Sequence, residues 1–304
     1  MSVKRTAKMM MIRNITRTAV VVILGLLLTE CSPSSEEESP RPQIVLSGSR
    51  GVFLADWRGY NLRPKLLTDF SGVVEIIAGS ASVANHIIGI VGSPSDTRTD
   101  TPKRAVYLID PSTGRYEKVF EGPVNAIAIA PDKKSIALLS KDVLLYDLTE
   151  HRARPVVRGR ALLTLTLSWK PDGEHLTYDT RDGWIESANL RTQRTEHLVK
   201  GLTPAWSPDG TKLAYQQRDA QGETVLLYDP ARGTSQELYR RSAWQREIYA
   251  YLYWSPDGRY LSFNVSWNLL GLTSDRCVVL EVASGKTFTV RSGGLYCGPW
   301  LTKQ

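Results

Sequence analysis

The sequence predicts an all-β fold, a six-bladed β-propeller, and three observations carry the prediction. The first is a recurring turn. Trp169-Lys-Pro-Asp-Gly173, Trp206-Ser-Pro-Asp-Gly210 and Trp254-Ser-Pro-Asp-Gly258 are near-copies, and Ala130-Pro-Asp-Lys133 is a degenerate one. Their prolines stand 40, 37 and 48 residues apart, the period of a four-stranded propeller blade. The second is what flanks the turn. An apolar run such as LTLSW or AYLYW precedes it, and an alternating segment such as KLAYQQ follows. Alternation marks a strand with one buried face. The third is a second turn series, Asp110–Gly114, Asp229–Gly233 and Glu281–Gly285, each after a strand-like run such as VLLY.

The turn chemistry is readable. Ser opens a type I turn, Pro presets φ at its second position, and Gly suits its fourth. Each unit therefore reads as strand, tight turn, strand, connection, strand, tight turn, strand. Units are expected at about 71–122, 123–159, 160–201, 202–243 and 244–292. The first, about 43–70, holds only outer strands around GVFLADW and RPKLL. Its inner strand is expected from the C-terminus, where Leu295–Trp300 aligns with the other Trp-ending strands. A blade shared by the two ends closes the ring and removes exposed sheet edges.

Ahead of the propeller, expected over 44–304, two further segments are distinguished. Residues 1–30 read as a signal peptide. They join a basic start to the ten apolar residues Ala19–Leu28, too few to span a bilayer, where about 20 are needed. Leu28-Thr29-Glu30-Cys31 resembles a bacterial lipobox, which implies lipidation at Cys31. Glu30 departs from that pattern, since the residue before the Cys is normally small and neutral. An uncleaved anchor and an ordinary signal cut nearby are the alternatives. Residues 31–43, rich in Ser, Pro and Glu, form a flexible linker with nothing to bury.

The W-S-P-D-G-x-x-[LI] repeat, in six units behind an export signal, resembles the repeat of TolB-type propellers. The resemblance implies a TolB-like, WD40-like propeller lipoprotein without the N-terminal α/β domain of that family. It does not fix a function, because one fold hosts many.

Charge excludes less than it first suggests. Of the formal net charge of +7, residues 1–30 contribute 4 through five bases and Glu30. The folded part is only mildly basic, and a nucleic-acid partner is not expected. Cys277 and Cys297 form an even pair in an exported chain, either a disulfide or two buried thiols. His86, His151, His175 and His197 have no metal-ligand spacing, and no nucleophile elbow or phosphate loop occurs. No catalytic residue, cofactor or metal is therefore assigned. The recurring tryptophans read as wedges between blades, and the turn aspartates as turn residues.

A partner site is expected where connections are long. Segments 92–104, 240–249 and 266–276 should emerge on the face opposite the tight turns and rim one sector. Trp244, Tyr249, Trp267 and Leu269 are the expected apolar anchors, with Arg98, Arg104, Arg246 and Arg276 as a charged rim. The functional expectation is a monomeric, membrane-tethered module that holds an envelope protein or peptide, facing the periplasm or cell exterior. The rival is an enzyme or sensor acting on a sugar or peptide in the axial pocket.

Overall fold

The computed structural model describes residues 42–48, 51–57, 62–69, 75–83, 86–92, 104–158, 162–220, 222–241, 245–269, 272–290 and 295–301. They are all strand, turn or extended chain, with no helix among them. The leader and the linker up to residue 41, Cys31 included, lie outside the described residues; Gln43, expected at the end of the linker, opens the first strand.

The strands form six four-stranded antiparallel sheets. One holds β1 (Gln43–Gly48), β2 (Gly51–Asp56) and β3 (Lys65–Thr68), with β24 (Tyr296–Leu301) placed before β1. The next holds β4 (Glu75–Val83), β5 (His86–Gly92), β6 (Arg104–Ile109) and β7 (Tyr116–Glu121). Then come β8 (Ala126–Ile129), β9 (Ser135–Leu139), β10 (Val143–Asp147) and β11 (Arg152–Val157). A fourth sheet has β12 (Leu162–Trp169), β13 (His175–Thr180), β14 (Trp184–Asn189) and β15 (Arg194–Lys200). A fifth has β16 (Leu202–Trp206), β17 (Leu213–Asp219), β18 (Gly222–Asp229) and β19 (Thr234–Arg240). The last has β20 (Gln245–Trp254), β21 (Tyr260–Leu269), β22 (Leu272–Glu281) and β23 (Thr287–Val290). This is a β-propeller. First strands neighbour one another from sheet to sheet: β4 with β8, β8 with β12, β12 with β16, and β16 with β20. Strand β24 lies beside both β20 and β4.

The C-terminal strand pairs where the Trp-ending repeat placed it. Leu301 stands opposite Gln43, and Trp300 opposite Ile44. Cys277 of β22 and Cys297 of β24 are disulfide-bonded, with Cα atoms 5.2 Å apart. The bond joins two different sheets.

The turns explain their own sequence. In Ser207–Gly210 the Gly210 N–H donates to the Ser207 carbonyl (2.8 Å), and the Ser207 hydroxyl bonds Asp209 and accepts from the Lys212 N–H (3.0 Å). Ser255–Gly258 repeats all three contacts, with Tyr260 as the donor to the hydroxyl. The fourth position takes a positive φ: 72° at Gly173, 69° at Gly210 and 69° at Gly258. That is the left-handed region that glycine enters freely.

Apolar residues between sheets are buried as the alternation requires. Leu261, Phe263 and Val265 of β21 pack with Ala214 and Val225 of the preceding sheet. At the opposite parity Cys277 and Val279 of β22 pack with Ile44, Leu46 and Trp300 of the first sheet.

Two expected connections are strands instead. Segment 266–276 was read as a loop, but β21 and β22 run on to a Leu269–Leu272 pairing. The second half of 240–249 belongs to β20, where Gln245 already pairs with Trp267. The physical reason is periodicity: Phe263, Val265, Trp267 and Leu269 continue a period of two, the strand signal itself. The central part of 92–104 lies outside the described residues.

Candidate functional site

Each recurring tryptophan closes the Trp-ending strand of its sheet and donates its indole N–H to the sheet before. Trp206 Nε1 reaches Thr177 Oγ1 (2.8 Å) and Trp300 Nε1 reaches Ser262 Oγ (2.9 Å). Trp169 and Trp254 instead reach the carbonyls of Ala128 (3.2 Å) and Ala205 (3.0 Å). Sequence separates the two cases. The second-strand position that supplies the hydroxyl is Thr177 or Ser262 in two sheets, and Ala137 or Ala214 in the other two. Where no hydroxyl exists, the indole turns to a backbone oxygen, because a buried donor must find a partner.

The strand ends that carry these tryptophans converge on a cavity of about 510 Å³. Its wall takes residues from β8, β12, β16, β20 and β24. The prolines of the tight turns, Pro131, Pro171, Pro208 and Pro256, together with Pro299, contribute to it, as do Trp169, Trp206, Trp254 and Trp300. Successive turns sit against one another: a Cβ on Gly210 would lie 3.2 Å from Pro171, and one on Gly258 3.8 Å from Pro208. Tyr251 and Tyr253 complete the aromatic part, and Thr166, Ser168 and Ser207 are its side-chain hydroxyls besides theirs. Lys133 is the one charged residue of the wall among the described residues.

The turn carboxylates around the mouth are engaged within their own turns. The Ser207 hydroxyl and the Thr211 N–H hold Asp209 below the usual carboxylate range. Asp172 accepts from the N–H groups of Glu174 (2.9 Å) and His175 (3.1 Å). Lys170 lies 3.6 Å from Asp172 and over the Trp206 ring, 5.2 Å from its centroid. Among the described residues no group of three or more His, Cys, Asp or Glu is placed to hold a metal.

The sequence-based anchors fall elsewhere. Arg246 and Tyr249 lie on β20, Trp267 and Leu269 on β21, and Arg276 on β22, so one sheet gathers five of the eight. The register divides them. Arg276 pairs with Val265 and shares strand parity with Trp267 and Leu269. Tyr249 pairs with Asn264, at the opposite parity. Arg104 begins β6 and belongs to a different sheet; its Nη1 donates to the Val124 carbonyl (3.2 Å) and to Asn125 Oδ1 (2.6 Å). Those bonds fasten the link between its sheet and the next. Trp244 and Arg98 lie outside the described residues. Sequence reasoning placed the site opposite the tight turns, whereas the cavity opens among them. The available signal was the proline at the same point of four of the repeats.

No family model matches the sequence, and no curated protein does. Solved structures do match. The TolB of Acinetobacter baumannii shares 18% identity over 86% of this chain and 66% of that chain, with a TM-score of 0.69. The chain thus spans just under two thirds of that protein's length. A protein described as a TolB from Agrobacterium tumefaciens shares 15% identity over 86% of this chain and 98% of that one, with a TM-score of 0.55. A chain of a nidogen/laminin complex aligns over 86% of this chain and all of its own length, at 12% identity and a TM-score of 0.64. At such identities the likeness is one of fold. The described domain is a TolB-like β-propeller.

Proposed function

We propose that this chain is a non-enzymatic binding module of the bacterial cell envelope. It is exported, tethered to a membrane through a lipid on Cys31, and captures a protein or peptide segment. The domain works as a closed six-bladed disc, with β24 completing the first blade, and it acts as a monomer. The observation that carries the reading is the cavity wall. It is built of proline rings, aromatic edges and the inner edges of first strands, with Lys133 as its one charge among the described residues. Those strands are the terminal members of their sheets and pair on one side only. Their axial edges offer backbone groups to an extended chain, and the apolar wall covers its side chains. Such a wall has few groups able to transfer a proton or attack a bond. The β20–β22 extension, with Tyr249, Trp267, Leu269, Arg246 and Arg276, is a second contact zone. Trp244 and Arg98 belong to it on the sequence reading alone.

Two experiments test this. Cys31→Ala should leave the protein soluble or unprocessed; unchanged processing and membrane association would defeat the tether. A photo-crosslinker placed at Pro208 in cells should give a polypeptide adduct. An adduct formed only from position 267 would move the site to the β20–β22 extension. Adducts from neither position would defeat the binding reading.

A further inference from the structure

Three of the four described tight turns of the first series place glycine at the left-handed position, with φ of 69° to 72°. The fourth places Lys133 there, at φ 59°. The backbone bond of the turn is the same: the Lys133 N–H donates to the Ala130 carbonyl at 2.9 Å, as Gly210 does to Ser207. For a residue with a Cβ this conformation costs roughly 1–2 kcal/mol. A strained residue that persists asks for a reason.

Packing does not supply one. Lys133 is exposed, and no ion pair of its ammonium is found among the described residues. The neighbouring carboxylate, Asp132, is turned inward onto its own loop. It accepts from the N–H groups of Lys134 (2.8 Å) and Ser135 (3.1 Å). Lys133 does hold one distinctive place. Among the described residues it is the one charged residue on the cavity wall, at the turn position where the sister turns carry a glycine. Lys170, the other ammonium near that wall, is occupied by Asp172 and the Trp206 ring.

We infer that Lys133 is a specificity residue of the axial cavity, and that the polypeptide segment bound there carries a carboxylate which Lys133 meets at the mouth. This rests on the cavity reading above. The occupant is an extended peptide because the wall supplies one-sided strand edges, prolines and aromatic edges. A sugar is less well served, because the indole donors of the wall are spent between sheets and leave it a few hydroxyls such as that of Thr166. The carboxylate is an Asp or Glu side chain or the segment's own C-terminus; both offer a lysine the same chemistry.

The test uses the full folded chain and two random decapeptide libraries displayed on phage, one with free C-termini and one without. Pools selected on the parent should be enriched in Asp and Glu in the tethered library, or lose binding on C-terminal amidation in the free one. The first result identifies a side-chain carboxylate, the second a terminal one. Lys133→Gly should weaken the selected peptides about three- to five-fold, the scale of an exposed charge contact. The same substitution should raise the melting temperature by roughly 2–4 °C, because the turn relaxes. Weaker binding in a more stable protein is a combination that a merely structural lysine cannot give. Pro208→Trp and Pro256→Trp, both at exposed wall positions, should block the selected peptides. Binders blocked by these bulky residues but indifferent to Lys133→Gly, or a Lys133→Gly protein of lower stability, would overturn the role of Lys133. Binders that neither bulky variant blocks would overturn the cavity reading itself.

Discussion

The side-chain amide of Asn264 grips the main chain of Cys297 at both ends: Oδ1 accepts from the Cys297 N–H at 2.7 Å, and Nδ2 donates to the Cys297 carbonyl at 3.2 Å. Both residues are buried, and they belong to different sheets, Asn264 to β21 and Cys297 to β24. Substituting Asn264→Leu keeps the volume and strands one buried N–H and one buried carbonyl. Each unsatisfied group costs about 1–3 kcal/mol, so denaturant unfolding should show a loss of roughly 2–4 kcal/mol. An unchanged midpoint would mean that β24 is held by other contacts.

The same strand carries a covalent tie. The Cys277–Cys297 bond spans 20 residues of sequence, which corresponds to about 3 kcal/mol in the chain-entropy account. The double variant Cys277→Ala/Cys297→Ala should lose about that much. Deleting Leu295–Gln304 should cost more, because it also removes buried Trp300, a residue class worth about 3–5 kcal/mol when truncated. A truncated protein melting with its parent would sink the shared first sheet.

Asp179 occupies on β13 the register position that Asn264 occupies on β21, three residues after Leu176 and Leu261. Burial pushes its pKa up to about 7, against the lowering effect of backbone N–H groups that include Thr203 of the next sheet. The acid takes the Thr203 N–H as the amide oxygen takes that of Cys297, but its Oδ1 is buried without a hydrogen-bond partner, and burial favours the protonated form. The unfolded carboxyl ionises near pH 3.9. Its full contribution is therefore present below about pH 4, is lost as pH rises toward 7, and stays lost above that. A shift of about three pKa units corresponds to about 4 kcal/mol. Asp179→Asn should flatten the stability profile between pH 4 and 7 and give the more stable protein at pH 8. Parallel profiles for the two proteins would refute a buried, protonated Asp179.

These positions show what could be read from the sequence. The turns were legible because their causes are local: Ser207, Pro208, Asp209 and Gly210 satisfy one another within four residues. The pairing of Trp300 with Ile44 was legible because Trp300 repeats the position of Trp254. The extension of β21 was misread, since Asn268 and the Gly after Leu270 resemble loop residues and mask the parity of Val265, Trp267 and Leu269. The cavity was expected only as the axial pocket of the rival reading, and its wall was not legible for another reason. It forms where strand ends from five sheets converge, and loop length along the chain carries no information about that convergence. Lys133 was visible as a missing glycine, but its meaning needed the wall on which it stands.

The choice of indole partner makes the sharpest test of the repeat. Thr177 is fully buried, Trp206 nearly so, and the hydroxyl of one receives the N–H of the other at 2.8 Å. Thr177→Val conserves shape and removes the acceptor. It should cost roughly 1–3 kcal/mol, the penalty of an orphaned buried donor. Ser262→Ala should act alike on Trp300, whose N–H lies 2.9 Å from Ser262 Oγ. The cause can be isolated by a double-mutant cycle with Trp206→Phe, which has no donor to orphan. In that background Thr177→Val should become nearly neutral, giving a coupling of about 1–2 kcal/mol. Equal costs of Thr177→Val in both backgrounds would show that the threonine acts through packing alone, and that the alternation of hydroxyl and alanine at this position does not govern how the tryptophans are held.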